Sequence, residues 1–172
     1  VNGPHLVLIG MMGAGKSTVG RMLADRLDRR FLDSDELIEA RTGHTVAEIF
    51  TDDGEQAFRA VETDMLTEML DGNVPAVIAA AGGAVLDPAN RAHMRARGTV
   101  VWLRVDPRLL AERVRGSTHR PLLADDPRST LARLAEEREP LYRATADTVV
   151  DVGDLSPTEV ADRILAGTGV AA

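Results

Sequence analysis

Gly10-Met11-Met12-Gly13-Ala14-Gly15-Lys16-Ser17 fits the pattern G-x-x-x-x-G-K-[ST], and its flanks say what it joins. His5 to Ile9 is a short apolar run suited to a buried strand, and Ser17 to Leu27 places Val19, Met22, Leu23 and Leu27 at helical spacing. A glycine-rich turn between a strand and a helix is the setting in which backbone N–H groups and a helix N-terminus wrap nucleotide phosphates. The lysine then reaches the β- and γ-phosphates, and Ser17 offers its hydroxyl to Mg²⁺. Lys16 is the only lysine of the chain, whose other nineteen Lys/Arg positions are all arginine. A slim ammonium kept at this one place points to a nucleotide user.

Further apolar runs follow at Arg30 to Leu32, Ala76 to Ala80, Val100 to Leu103 and Thr148 to Val152, with helical patterns between them. This alternation predicts an α/β fold, a three-layer α/β/α sandwich around a central five-stranded parallel sheet. Asp87-Pro88 and Asp106-Pro107 pair a capping acid with proline at the first helical position. Thr45-Val46-Ala47-Glu48 and Ser156-Pro157-Thr158-Glu159 are capping boxes. Thr51-Asp52-Asp53-Gly54 interrupts the pattern between Val46 and Leu70, which predicts two helices joined by a bend.

A chain of 172 residues suits one domain with a sizeable core. With a net charge of −7 and 3% aromatic residues, neither a basic nucleic-acid surface nor a base-stacking platform is expected. The absence of cysteine excludes a disulfide framework and fits a reducing compartment. The longest apolar stretch, Ala76 to Leu86, is about half a spanning helix and contains two glycines, so a cytoplasmic protein without membrane contact is expected. The Ala/Gly/Thr-rich tail after Leu165 is expected to fray.

In a parallel sheet, ligands gather outside the carboxyl ends of the strands. After the second run stand Asp33-Ser34-Asp35. If the chain is extended there, both carboxylates point to one side, one able to serve Mg²⁺ through water and the other to hydrogen-bond an acceptor hydroxyl. The alternative is that Asp35 merely caps a helix starting at Glu36. The third run ends in Gly82-Gly83 without an aspartate, which strengthens the case for Asp33 at the metal. The glycines either let substrate approach the backbone or form only a turn. The polar stretch from Arg113 to Pro127 suits a lid supplying a guanidinium to the transferring group, or an ordinary exposed loop. His119 has no metal-ligand spacing and receives no role.

Together these stretches resemble shikimate kinase, a small kinase of the nucleoside monophosphate kinase structural group. The resemblance rests on the phosphate loop through Thr18, Asp33-Ser34-Asp35, Gly54-Glu55-Gln56-Ala57-Phe58-Arg59, Arg120-Pro121-Leu122-Leu123 and Arg138-Glu139-Pro140-Leu141-Tyr142. It implies transfer of the ATP γ-phosphate to the 3-hydroxyl of shikimate by one kinase domain over residues 1–172. That domain has a substrate-binding region at about 33–61 and a mobile lid at about 113–127, and acts as a monomer. The implied ATP contacts are Gly13, Ala14, Gly15, Lys16, Ser17, Thr18, Arg113, Arg120 and Pro157, with Ser17 and Asp33 (through water) at Mg²⁺. Lys16, Asp35 and Arg120 are the implied catalytic groups. Asp35, Arg59, Gly82, Gly83 and Arg138 would hold shikimate, the two arginines on its carboxylate. The family's three glycines after the third strand read Ala81-Gly82-Gly83 here, and Ala81 is expected in extended backbone inside the strand. A kinase for another polyol acid, such as gluconate, and a nucleotide-binding module without catalysis are the alternatives.

Overall fold

The computed structural model describes residues 4–113 and 126–170. Its strands are β1 (His5–Ile9), β2 (Arg30–Asp33), β3 (Ala76–Ala79), β4 (Gly98–Arg104) and β5 (Thr148–Asp151). All pair in parallel in the order β2-β3-β1-β4-β5. Central β1 is buried throughout, with Leu8 opposite Ala79 on one side and Val101 on the other. The helices are α1 (Lys16–Leu27), α2 (Ser34–Thr42), α3 (Val46–Asp52), α4 (Gly54–Leu70), α5 (Pro88–Arg97), α6 (Pro107–Arg113), α7 (Pro127–Thr145) and α8 (Pro157–Thr168).

The strand order determines the layers. The chain steps one way along the sheet from β1 to β2 and the opposite way at every later crossover. Right-handed crossovers therefore place α1 on one face and α4, α5 and α7 on the other, and α8 packs against α1. Loops leaving the neighbours β1 and β3 turn to opposite faces, which opens a crevice at their carboxyl ends.

Local signals fix the helix ends. Asp87 accepts from the Ala89 N–H and Asp106 from the Arg108 N–H, both ahead of proline. Both capping boxes are formed, at Thr45–Glu48 and Ser156–Glu159. The bend between α3 and α4 is at Asp53, with Gly54 at φ 86°. The expected fraying after Leu165 is not what the chain does. α8 continues to Thr168 and ends on Gly169, whose N–H reaches the Leu165 carbonyl, because buried Val160, Ala161 and Ile164 anchor the helix. Among the described residues, no helix is long and apolar enough to cross a membrane.

His5 ties β1 to the turn before β3. Its Nδ1 accepts from the Ala76 N–H at 3.2 Å, so the proton sits on Nε2, which donates to the Gly72 carbonyl at 3.0 Å. Burial lowers the imidazole pKa below 6.5, helped by Arg97 and Arg29. The unfolded chain therefore binds the proton more readily than the folded one, and folded stability falls as pH drops below 6.5. Thermal unfolding between pH 7.5 and 5.5 should show a steeper loss of Tm for the wild type than for His5→Gln; parallel curves would remove His5 as the cause.

Candidate active site

The crevice is a cleft of about 690 Å³. Its floor is the phosphate loop, residues 10–17. Gly15 is the residue before α1 and has φ 93°, a left-handed conformation that glycine adopts without strain. No side chain caps α1, so the first-turn N–H groups are available to an anion. Lys16 Nζ donates to the carbonyls of Gly10 at 2.7 Å and Met11 at 3.1 Å, which folds the ammonium back over the loop. Gly13, Gly15, Lys16, Ser17 and Thr18 line the cleft. Ala14 does not: its methyl group is in the core and its N–H bonds the Met11 carbonyl.

The two aspartates are placed differently from the extended geometry read from sequence. Asp33 is the last residue of β2, held opposite Ala79, whereas Asp35 already lies in the first turn of α2. The cap of that helix is Asp33, not Asp35. Asp33 Oδ1 accepts from the N–H groups of Asp35 and Glu36, at 3.1 and 3.4 Å. Its Oδ2 accepts from Ser17 Oγ at 2.6 Å. Strand pairing thus ends one residue later than the apolar run, and a short acid at that point terminates the strand and starts the helix. Both carboxylates still line the cleft. Ser17 and Asp33 converge as hard oxygen donors, a pair that fits Mg²⁺ held mainly by water and phosphate.

The far wall carries two arginines. Arg59 of α4 donates from Nη1 to both oxygens of Glu62 at 2.9 and 3.0 Å and from Nη2 to Glu55 at 3.2 Å. It also lies 5.4 Å from the Phe58 ring centre and 5.7 Å from that of Phe50. Glu62 is only 1% exposed, and burial raises its carboxyl pKa against the pull of Arg59. Arg138 of α7 is only 2% exposed and makes no ion pair among the described residues. The buried Glu62 carboxylate is felt at Arg138 without touching it, and a buried guanidinium with no carboxylate in contact is costly unless an anion arrives to meet it.

Gly82 and Gly83 form the turn beside these arginines. A methyl group on Gly83 would fall on the Arg59 guanidinium and displace it from its present position. Ala81 differs from its expected place: β3 ends at Ala79, and Ala81 accepts the Ala84 N–H at the head of the turn. Ala81 nevertheless avoids the left-handed region, so its methyl group brings no backbone strain.

Arg113 closes α6, lines the cleft and donates from Nη2 to the Gly153 carbonyl at 3.1 Å. That bond joins α6 to the segment before Pro157, which starts α8 and stands apart from the cleft lining. Arg120 and most of the expected lid lie outside the described residues, while its ends belong to helices: Arg113 to α6, and Asp126 and Pro127 to the start of α7. Sequence reading missed Glu62 as a site residue, although Glu55 and Glu62 stand four before and three after Arg59, the helical spacing for facing charges. It also gave Phe50, Phe58 and Tyr142 no roles.

The family model for shikimate kinase matches residues 12–168. The chain belongs to the shikimate kinase family. As a member, it is an ATP-dependent phosphotransferase of aromatic amino acid biosynthesis. It is 51% identical over 153 residues to the shikimate kinase of Aromatoleum aromaticum, covering 88% of this chain and 87% of that protein. It is 46% identical over 166 residues to that of Paramagnetospirillum magneticum, covering 96% and 84%. A solved shikimate kinase from Acinetobacter baumannii, in complex with shikimate, superposes with a TM-score of 0.91 at 40% identity, covering 95% of this chain and 91% of that one.

Proposed function

We propose that this member of the shikimate kinase family transfers the γ-phosphate of ATP to the 3-hydroxyl of shikimate in the cleft between the phosphate loop and Arg138, with Mg²⁺. The observation that carries the acceptor side is the buried Arg138 guanidinium, without an ion pair among the described residues, beside Arg59 and the Gly82–Gly83 turn. Two planar forks on one wall suit a carboxylate. Asp35, in the first turn of α2, binds acceptor hydroxyls and orients the attacking one. Because phosphoryl transfer is loose and metaphosphate-like in most analyses, positioning by Asp35 contributes more than proton removal.

The phosphates lie over the α1 N-terminus and Gly13 to Thr18. Lys16 exchanges its bonds to the Gly10 and Met11 carbonyls for phosphate oxygens, and Arg120 completes the clamp. Ser17 and Asp33 are the groups that would hold Mg²⁺, Asp33 through water; the ion when bound neutralises phosphate charge. Arg113 and the segment at Pro157 take the adenine. The chain acts as one kinase domain, a cytoplasmic monomer, with acceptor contacts at about 33–61 and a lid at about 113–127. A coupled ADP-release assay with shikimate, with and without Mg²⁺, tests the reading. ADP release should require both, and a preference for gluconate over shikimate would overturn it.

A further inference from the structure

Asn90 stands in the first turn of α5, outside the cleft lining, and is only 3% exposed. Asparagine is a poor helix former and costly to bury without partners, so its bonds say what keeps it there. Its Nδ2 donates to Thr63 Oγ1 of α4 at 3.1 Å and to the Ala84 carbonyl at 3.2 Å. A carbonyl oxygen only accepts, which identifies the amide nitrogen as the atom facing both partners.

Both partners adjoin the acceptor wall. Thr63 stands four residues after Arg59 and hence on the same face of α4. Ala84 follows Gly83, where a methyl group would come within 2.0 Å of Arg59 Nη1, 2.4 Å of Cζ and 2.6 Å of Nη2. The guanidinium therefore rests on the Gly83 backbone, and its place depends on the separation of α4 from the turn. A second cavity, of about 620 Å³, shares Arg59, Glu62 and Gly83 with the cleft and is also lined by Thr63 and Asn90. Arg59 thus borders open space in two directions, and packing alone does not locate it. Glu55 and Glu62, both of α4, tie the guanidinium only to its own helix. Tyr142 and Arg91 hold the turn through the carbonyls of Gly82, Val85 and Leu86. Among the described residues, Asn90 alone hydrogen-bonds α4 and the turn together.

We propose that Asn90 is a positioning residue for the acceptor: it spans α4 and the glycine turn, and so sets where the Arg59 guanidinium stands in the cleft wall. This rests on the reading that Arg59 binds the acceptor carboxylate. Asn90 touches no reacting atom; it acts through Thr63, Ala84 and Arg59. Losing the amide leaves the Ala84 carbonyl without this bond and frees α4 to shift against the turn.

Asn90→Leu, close in volume but without a donor, should raise the shikimate Kd by about tenfold, read by calorimetry on the full chain. The ATP Kd should keep its wild-type value, because neither Asn90 bond reaches the phosphate loop. Thr63→Val removes one of the two bonds with little change of shape and should raise the shikimate Kd about threefold. It decides the matter if Asn90→Leu fails to fold. Wild-type shikimate Kd in these variants, or shikimate and ATP constants that worsen together, overturns the positioning role even if Tm falls. In an Arg59→Lys background, Asn90→Leu should add little, because Asn90 acts through Arg59; full additivity also overturns the role. The Arg59→Lys single variant separates the two layers. If it binds shikimate normally, the acceptor reading of Arg59 fails; if it binds weakly while the Asn90 and Thr63 variants bind normally, only the positioning role fails.

Discussion

Lys16→Ala is expected to lower kcat by about 10³-fold, since a single preorganised charge on a transferring group is worth about that much. In the structure the ammonium is held 2.7 Å from the Gly10 carbonyl and 3.1 Å from that of Met11, bonds that it would exchange for phosphate oxygens when nucleotide arrives. Alanine removes the charge and leaves Gly15 and the start of α1 able to keep the loop conformation. Nucleotide Kd should therefore weaken less than kcat falls, measured by calorimetry beside steady-state assay. A fall in affinity with normal kcat would make Lys16 a binding group only. Because side-chain and terminal-amine modification then concern only Lys16 and the α-amine, an amine-selective reagent gives an independent reading: modification should inactivate the enzyme, and ATP should protect it.

Asp35→Asn is expected to lower kcat by about 10² to 10⁴-fold at nearly unchanged Tm. The fold does not depend on this carboxylate as a cap, because the Asp35 N–H is fixed by Asp33 Oδ1 whichever side chain follows. Asparagine keeps shape and hydrogen bonding but loses the negative charge that orients an attacking hydroxyl. A wild-type kcat in this variant would remove the role assigned to Asp35. Asp33→Asn differs in kind, because Asp33 both caps α2 and accepts from Ser17.

The sheet, the caps and the phosphate loop were legible because each is written in local chemistry. Apolar runs of strand length mark β1 to β5, Asp-Pro pairs and capping boxes mark helix starts, and Gly54 marks the bend before α4. What local pattern could not give is where pairing stops. The partner strand decides that β2 includes Asp33 and that β3 releases the chain before Ala81. The same limit hid Glu62 and Tyr142. A glutamate on a helix reads as solvent-facing, and only tertiary packing buries Glu62 against Arg59. Tyr142 looks like core, and it is core except for one oxygen that reaches 60 residues away in sequence to Gly82.

The order of the strands carries a consequence for how such an enzyme diversifies. Asp33, Asp35, Arg59, Gly82 and Gly83 all follow β2 or β3, on one flank of the sheet, whereas Arg113 and Gly153 follow β4 and β5 on the other. The loop after β1 stands between the flanks as a shared phosphoryl-handling seam. On the proposed assignment of acceptor to the β2–β3 flank and nucleotide to the other, an insertion or replacement that reshapes the first can change the acceptor while the second is inherited intact. Arg138 breaks this partition, since α7 brings it across from the β4–β5 side, and Tyr142 of the same helix bonds the Gly82 carbonyl. That single crossing thread is where exchange of one flank alone would meet resistance, and a new acceptor without a carboxylate would leave a buried guanidinium that descent must also remove.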